Sequence, residues 1–146
     1  MAHKSDFSEN KYIDWRWRGQ AATPPATNYF ALFTVTPSDT GGGTEVTGGS
    51  YARVGVASSL ANFAGTQGAG TTTASTGSSG TTSNNNTITF PAPTANWGVV
   101  VAIGVFDAPT GGNMWEWAPL TISKTINNGD PAPLFAAAAF TFQEDN

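Results

Sequence analysis

A chain of 146 residues with 39 % hydrophobic content and no cysteine reads as one domain, long enough to bury a core without disulfides or thiolate-bound metal. Only 11 % of its residues are charged and its net charge is −4, which argues against nucleic acid as a partner, since phosphate recognition needs clustered Lys and Arg. No apolar run is long enough to span a bilayer, and Met-Ala-His-Lys-Ser-Asp at the start has no apolar stretch behind it, so neither a membrane segment nor a secretory leader is expected.

The first predicted element is a short helix over residues 6–18. Asp6 and Glu9 have capping-box spacing and Gly19 suits the helix end. Four of the six basic residues (Lys4, Lys11, Arg16, Arg18) precede Gly19, so this arm, residues 1–19, differs chemically from the rest. Trp15 and Trp17 stand two apart and cannot share a narrow helical face; one is free to meet the body and the other a neighbour. A Pro24-Pro25 linker follows, and residues 20–146 read as one β domain. The strand over 28–36 is apolar on both faces, with Tyr29, Phe33 and Val35 opposite Phe30 and Leu32, as a central strand requires. Residues 37–49 are turn-rich. Further strands are predicted over 51–58 and 60–63.

Residues 65–86 hold no charge and no large apolar side chain; they are expected to form a long neutral surface loop. A strand over 87–90 stops at Pro91. The strongest strand spans 97–106, with Trp97, Val99, Val101, Ile103 and Val105 on one face. Strands over 114–117 and 120–126 come next, then the turn Asn127-Asn-Gly-Asp130. The last strand is placed over 133–142, with the small residues Ala136, Ala137, Ala138 and Ala139 where sheets or subunits approach. The sum is an all-β protein, a jelly-roll-like β-sandwich with a short N-terminal helix.

Several blocks carry a family resemblance: Ser8-Glu-Asn-Lys11, Ala31-Leu-Phe-Thr34 with Gly41-Gly-Gly-Thr-Glu-Val…Tyr-Ala-Arg53, and a distal set running from Ile88-Thr-Phe-Pro91 through Trp97-Gly98, Gly104-Val-Phe-Asp-Ala108 and Gly111-Gly-Asn113 to Lys124-Thr-Ile-Asn-Asn-Gly-Asp130. The glycine-rich block is the most specific. Together they cover most of the chain, which resembles the small virion structural proteins of tailed bacteriophages, a group of tail fibre and capsid decoration (cement) proteins. The resemblance implies a structural virion protein, assembled in the bacterial host cytoplasm, with no catalytic residues to transfer. A cement protein would bind the major capsid protein. A tail fibre or tail-tip component, with host surface glycan as a candidate ligand, is the alternative.

The residues themselves point the same way. His3, the single histidine, lies near the terminus, and neither a nucleophile motif nor a phosphate loop occurs, so no enzyme, cofactor or metal is expected. Asp39, Glu45, Asp107 and Asp130 sit in turn contexts, where carboxylates bond backbone amides; Asp107, Asn113 and Asp130 lack the spacing of a calcium loop. Glu45 and Arg53 flank a tight turn at a spacing that suits a salt bridge. Trp15, Arg16, Trp17 and Arg18 are the expected partner-binding group. Phe135, the four alanines and Phe140 are the expected self-association surface of a homotrimer or dimer, because so neutral a surface suits contact with copies of itself. Trp115 and Trp117, on the same side of one strand, form a candidate glycan platform.

Overall fold

The computed structural model describes residues 2–144. In chain order the elements are β1 (His3–Lys4), α1 (Asp6–Arg18), β2 (Thr27–Val35), β3 (Thr44–Glu45), β4 (Val54–Ala57), β5 (Thr81–Ser83), β6 (Ile88–Thr89), β7 (Gly98–Phe106), β8 (Met114–Ile126), β9 (Leu134–Phe135) and β10 (Thr141–Gln143). The architecture is all-β with one short N-terminal helix, as expected. A main antiparallel sheet runs β1-β8-β7-β2-β3, with β4 also on β2; two ribbons, β5–β10 and β6–β9, accompany it.

β2 is central, as its two apolar faces require. It pairs with β7 along one edge and, along the other, with β4 over its first half and β3 near its end. Its side chains serve two clusters. Phe30 and Leu32 join Val100, Ile103, Val105, Trp97, Ile88 and Phe90 in the main core, against which Phe63, Phe135 and Phe140 pack. Ala31, Phe33 and Ala102 form a thinner cluster with Val101 and Phe106. The period-two alternation of a strand forces this division.

The predicted face of β7 is half right. Ile103 and Val105 reach the core, but Val100 replaces Val99 and Val101 there, and Val99 is exposed. The cause is a register break with β8: Val100 lies opposite Lys124 and Ala102 opposite Pro119, so residues 120–123 of β8 bulge out against Val101. A bulge re-aims side chains locally, and Ile122 at its crest is 82 % exposed. The two predicted strands over 114–117 and 120–126 are thus one strand broken by a bulge.

Three more expectations are corrected. The strand over 60–63 is a turn in which the Asn62 and Phe63 amides donate to the Ser59 carbonyl. The strand placed over 51–58 narrows to β4. The alanine run is an exposed turn between β9 and β10, and Ala138 takes φ +62. Asn84 decides this last point. Its Nδ2 donates to the Asn86 and Ala136 carbonyls (2.8 Å each), and its Oδ1 accepts from the Phe140 amide at 2.9 Å. Its own carbonyl takes the Ala138 amide at 2.7 Å. These bonds fold the alanines into a turn, where propensity alone favours helix and the flanking aromatics favour strand. The neutral loop 65–86 does lie mostly at the surface, stitched by side-chain bonds such as Gln67 Nε2 to the Ala74 carbonyl at 2.7 Å and Ser79 Oγ to the Thr66 carbonyl at 2.7 Å. Its end, β5, pairs with β10 of the same chain.

Candidate functional site

Two features dominate one end of the sheet: a helical spur and a charged clamp at its foot. The spur begins at Ser5. Ser5 Oγ accepts from the Ser8 amide at 3.2 Å, so Ser5, one residue before the predicted cap, is the N-cap; Gly19 closes the helix at φ +70. Ser5 also donates its hydroxyl proton to the Met114 carbonyl and its amide to the Trp115 carbonyl, and the Asp6 amide donates to the Asp39 carbonyl at 2.9 Å. Phe7 meets Trp115 edge-on at 5.3 Å. The grip on the body comes from this first turn, and Ser8 is the buried residue of the helix.

The whole helix is roughly 20 Å long at about 1.5 Å per residue, and most of it lies beyond that turn. Tyr12, Ile13, Trp15 and Trp17 are 46, 47, 54 and 72 % exposed. They occupy several faces, so turning the helix onto the body would not bury them together. Arg16 stacks over Trp17 at 4.9 Å, and Arg18 pairs with Asp14 at 2.7 Å across one turn. The expected partner-binding group Trp15, Arg16, Trp17 and Arg18 therefore sits together at the outer end of the spur. Tyr12 and Ile13, outside the expected partner-binding group, extend it.

The glycine-rich block forms the clamp. Gly43 has φ +74 and a Cβ there would meet the Val35 carbonyl oxygen at 2.6 Å, so only glycine lets the chain turn this closely into β3. Glu45 then accepts from Arg53 Nε (2.8 Å), Arg53 NH2 (2.7 Å) and the Tyr51 hydroxyl (2.9 Å). The sequence pairing of Glu45 with Arg53 is thus present, in a bidentate form. Arg53 NH1 donates to the Ala108 and Gly111 carbonyls at 3.0 and 2.8 Å, and the guanidinium lies 3.6 Å from the Phe106 ring centre. Tyr51 in turn accepts the Leu32 amide at 2.9 Å. Burial raises the Tyr51 hydroxyl far above its usual pKa, so it keeps its proton and donates to Glu45. One ion pair ties the glycine-rich block, the 107–113 loop and β2 together.

That loop is organised by Asp107, which accepts from the Asn113 amide (2.7 Å), Asn113 Nδ2 (2.9 Å) and Trp115 Nε1 (3.4 Å). Desolvation works to raise its carboxyl pKa, but these donors outweigh it and hold the carboxylate below the usual range. Asp130 lies in a separate turn, bonded to the Asn127 amide at 2.7 Å. A cleft of about 500 Å³ opens beside the clamp, lined by Asp6, Asp39, Glu45, Arg53, Phe106 and Asn113 among others.

The candidate glycan platform lies under the arm. Trp117 is stacked by His3 at 4.5 Å and donates Nε1 to Asp39 at 3.1 Å, while Trp115 is met by Phe7. Of the expected self-association residues, Phe135 and Phe140 turn toward the core and the alanines lie on the surface. A different apolar feature stands nearby, a groove of about 690 Å³ between β8 and the C-terminal segment, whose rim carries Ile122 and the 57 % exposed Leu134.

Both the spur and the clamp fall inside the span matched by one family model, podophage GP4 fiber I protein gp80, which covers residues 3–143. The chain belongs to this family. It is a structural protein of the phage virion, of the kind its sequence resembles. No curated protein matches it.

Proposed function

We propose that this protein is a non-enzymatic fibre component of a podophage virion, anchored to the particle through α1. The observation that carries this reading is the spur itself. A helix with Tyr12, Ile13, Trp15 and Trp17 exposed on several faces leaves apolar surface that its own body does not cover, and aromatic side chains with flanking Arg are the residues that dominate protein interfaces. The bonds of Ser5 and Asp6 to β8 and to Asp39 hold the spur's foot in place, so load applied at its tip passes into the main sheet. The family's description as a fibre protein supports the fibre placement. Binding to the major capsid protein as a decoration shell is the second reading, and copy number separates them: a shell needs a copy for each capsid subunit or cluster, a fibre only a handful per particle.

The test is a Trp15→Ser/Trp17→Ser variant in the full chain. Both side chains are solvent-facing, so stability is expected to shift by no more than about 0.5 kcal/mol. Incorporation into particles, read by quantitative mass spectrometry of purified virions, is expected to fall by at least tenfold. Wild-type incorporation of a folded variant overturns the anchoring role.

We also infer that the body self-associates as a closed homotrimer or dimer. The low charge of the surface and the apolar rim at Ile122 and Leu134 support this more directly than the alanine turn does. Sedimentation at micromolar concentration is expected to give a single species heavier than the 15.1 kDa chain; a clean monomer refutes it.

A further inference from the structure

Two apolar features lack a partner within the described chain: a stripe on α1 and a groove in the body. An α-helix turns about 100° per residue, so residues three or four apart share a side. Ile13 and Trp17 therefore form one stripe, and Tyr12 and Trp15 form another about 150° round the axis. The second stripe leans on its own surroundings. Its two rings lie 6.1 Å apart, and the Lys4 ammonium sits 4.8 Å from the Tyr12 ring. The first stripe ends in Trp17, the most exposed aromatic of the spur.

The groove lies between β8 and the C-terminal segment. Its floor reaches the buried Leu32, Val100 and Ile103, and its rim carries the exposed Ile122 and Leu134. About 690 Å³ of apolar-lined space against the main core lacks the dispersion contacts that a close-packed interior makes. Lys124, the charged member of the described lining, is exposed, so an apolar occupant need not desolvate it.

We propose that two copies of this chain exchange spurs, the Ile13/Trp17 stripe of each lying in the groove of the other. This rests on the reading of α1 as a docking element and names the partner of one of its two stripes; the Tyr12/Trp15 stripe stays open to the particle. The mode is a helix laid into an apolar groove with anchors four residues apart. Charge favours arm on body over arm on arm. Residues 1–19 hold four basic and three acidic residues, a net charge of +1, and residues 20–146 hold two basic and seven acidic, a net charge of −5. A spur that approaches the body of a second copy meets the opposite sign, whereas two spurs or two bodies repel.

Area sets the number of copies. Scaled by their exposure, Ile13 and Trp17 on the spur and Ile122 and Leu134 on the rim offer on the order of 500 Å² per junction. A reciprocal pair places two junctions in one interface, on the order of 1,000 Å², which is what a specific contact needs. A ring of three has one junction at each interface and reaches half of that. The two-fold exchange uses every spur and every groove, so the assembly closes and does not grow.

The exchange is tested on the isolated protein with no particle present, whereas anchoring is read in virions, so either reading can fail without the other. Sedimentation is expected to give one species of twice the 15.1 kDa chain. Trp17→Ser and Leu134→Glu are each expected to raise the dissociation constant at least 100-fold, the first by removing an aromatic anchor and the second by placing an unpaired carboxylate in an apolar contact. Both residues are exposed, and Ile122→Glu replaces Leu134→Glu if that variant fails to fold. The chain has no cysteine, so the contact can also be captured directly. A mixture of Arg16→Cys and Thr121→Cys proteins, treated with a short bis-maleimide, is expected to yield mixed pairs in excess of like pairs, and to lose them when both proteins also carry Trp17→Ser. A monomer, a three-chain particle, a dissociation constant that either substitution leaves unchanged, or like pairs outnumbering mixed ones overturns the exchange.

Discussion

Replacing Arg53 with methionine is expected to destabilise the protein by about 3 kcal/mol, near the lower end for breaking a buried ion pair, and to lower the melting temperature by roughly 10 °C. The side chain of Arg53 is 7 % exposed and that of Glu45 24 %, so partial solvation of the carboxylate tempers the loss. Methionine keeps an apolar stem of similar reach but loses the guanidinium over Phe106 and strips Glu45 of both guanidinium bonds. It also leaves the Ala108 and Gly111 carbonyls without their donor. Arg53→Lys is expected to fall between, because an ammonium cannot reproduce the planar fork that meets a carboxylate twice and two carbonyls besides. A double-mutant cycle with Glu45→Met separates the pair from its surroundings. Removing both charges is expected to cost less than the sum of the single changes by about 2 kcal/mol, since neither partner is then left buried alone. Thermal and denaturant unfolding of the four proteins measures this, and additive losses would mean that the pair is not coupled.

Asn84→Ala is expected to cost a similar amount, about 3 kcal/mol, for a different reason. Asn84 is 1 % exposed and makes three side-chain bonds, to the carbonyls of Asn86 and Ala136 and from the amide of Phe140. Each group deprived of its partner costs about 1 kcal/mol or more unless water replaces it. Aspartate is the more telling replacement. Its carboxylate still accepts from Phe140 but faces two carbonyl oxygens with no hydrogen to offer, so burial and repulsion raise its pKa. Asn84→Asp is therefore expected to be more stable at acidic pH, where it retains a proton, and to lose stability as pH rises toward neutrality. Unfolding at pH 4 and pH 7 checks the sign; equal losses at both would refute it. Because these bonds shape the alanine turn, loosening of residues 136–140 is expected to accompany either change, visible as faster amide exchange there.

Much of the secondary structure could be read directly from the chain. α1 was legible because its signals are local: a small polar cap, an acidic first turn, basic residues in the last turn and a glycine at the end. β2 was legible because apolar residues on both of its faces admit only a central position. The Glu45–Arg53 pair could be anticipated because eight residues and a glycine turn separate its members, so local geometry nearly closes it.

What the chain did not disclose depends on residues far apart. The face of β7 followed strict alternation until β8 bulged opposite Val101, and no feature of β7 itself records that. The alanine run could be read as helix by propensity or as strand from its flanking aromatics, and it is neither: Asn84, more than fifty residues earlier, turns it through bonds to Ala136 and Phe140. Trp115 and Trp117 could be read either as a glycan platform or as packed anchors because alternation fixes only their common side; Phe7 and His3, from near the start of the sequence, cover them. The Lys4–Glu144 pair joins groups 140 residues apart, so it exists only once the two ends of the chain lie side by side. Local backbone preference and side-chain periodicity set which segments become helix or strand. Which charges pair, which aromatics are covered and which remain for a partner were decided by tertiary contact, because burial and Coulombic energy depend on distance in space and not along the chain.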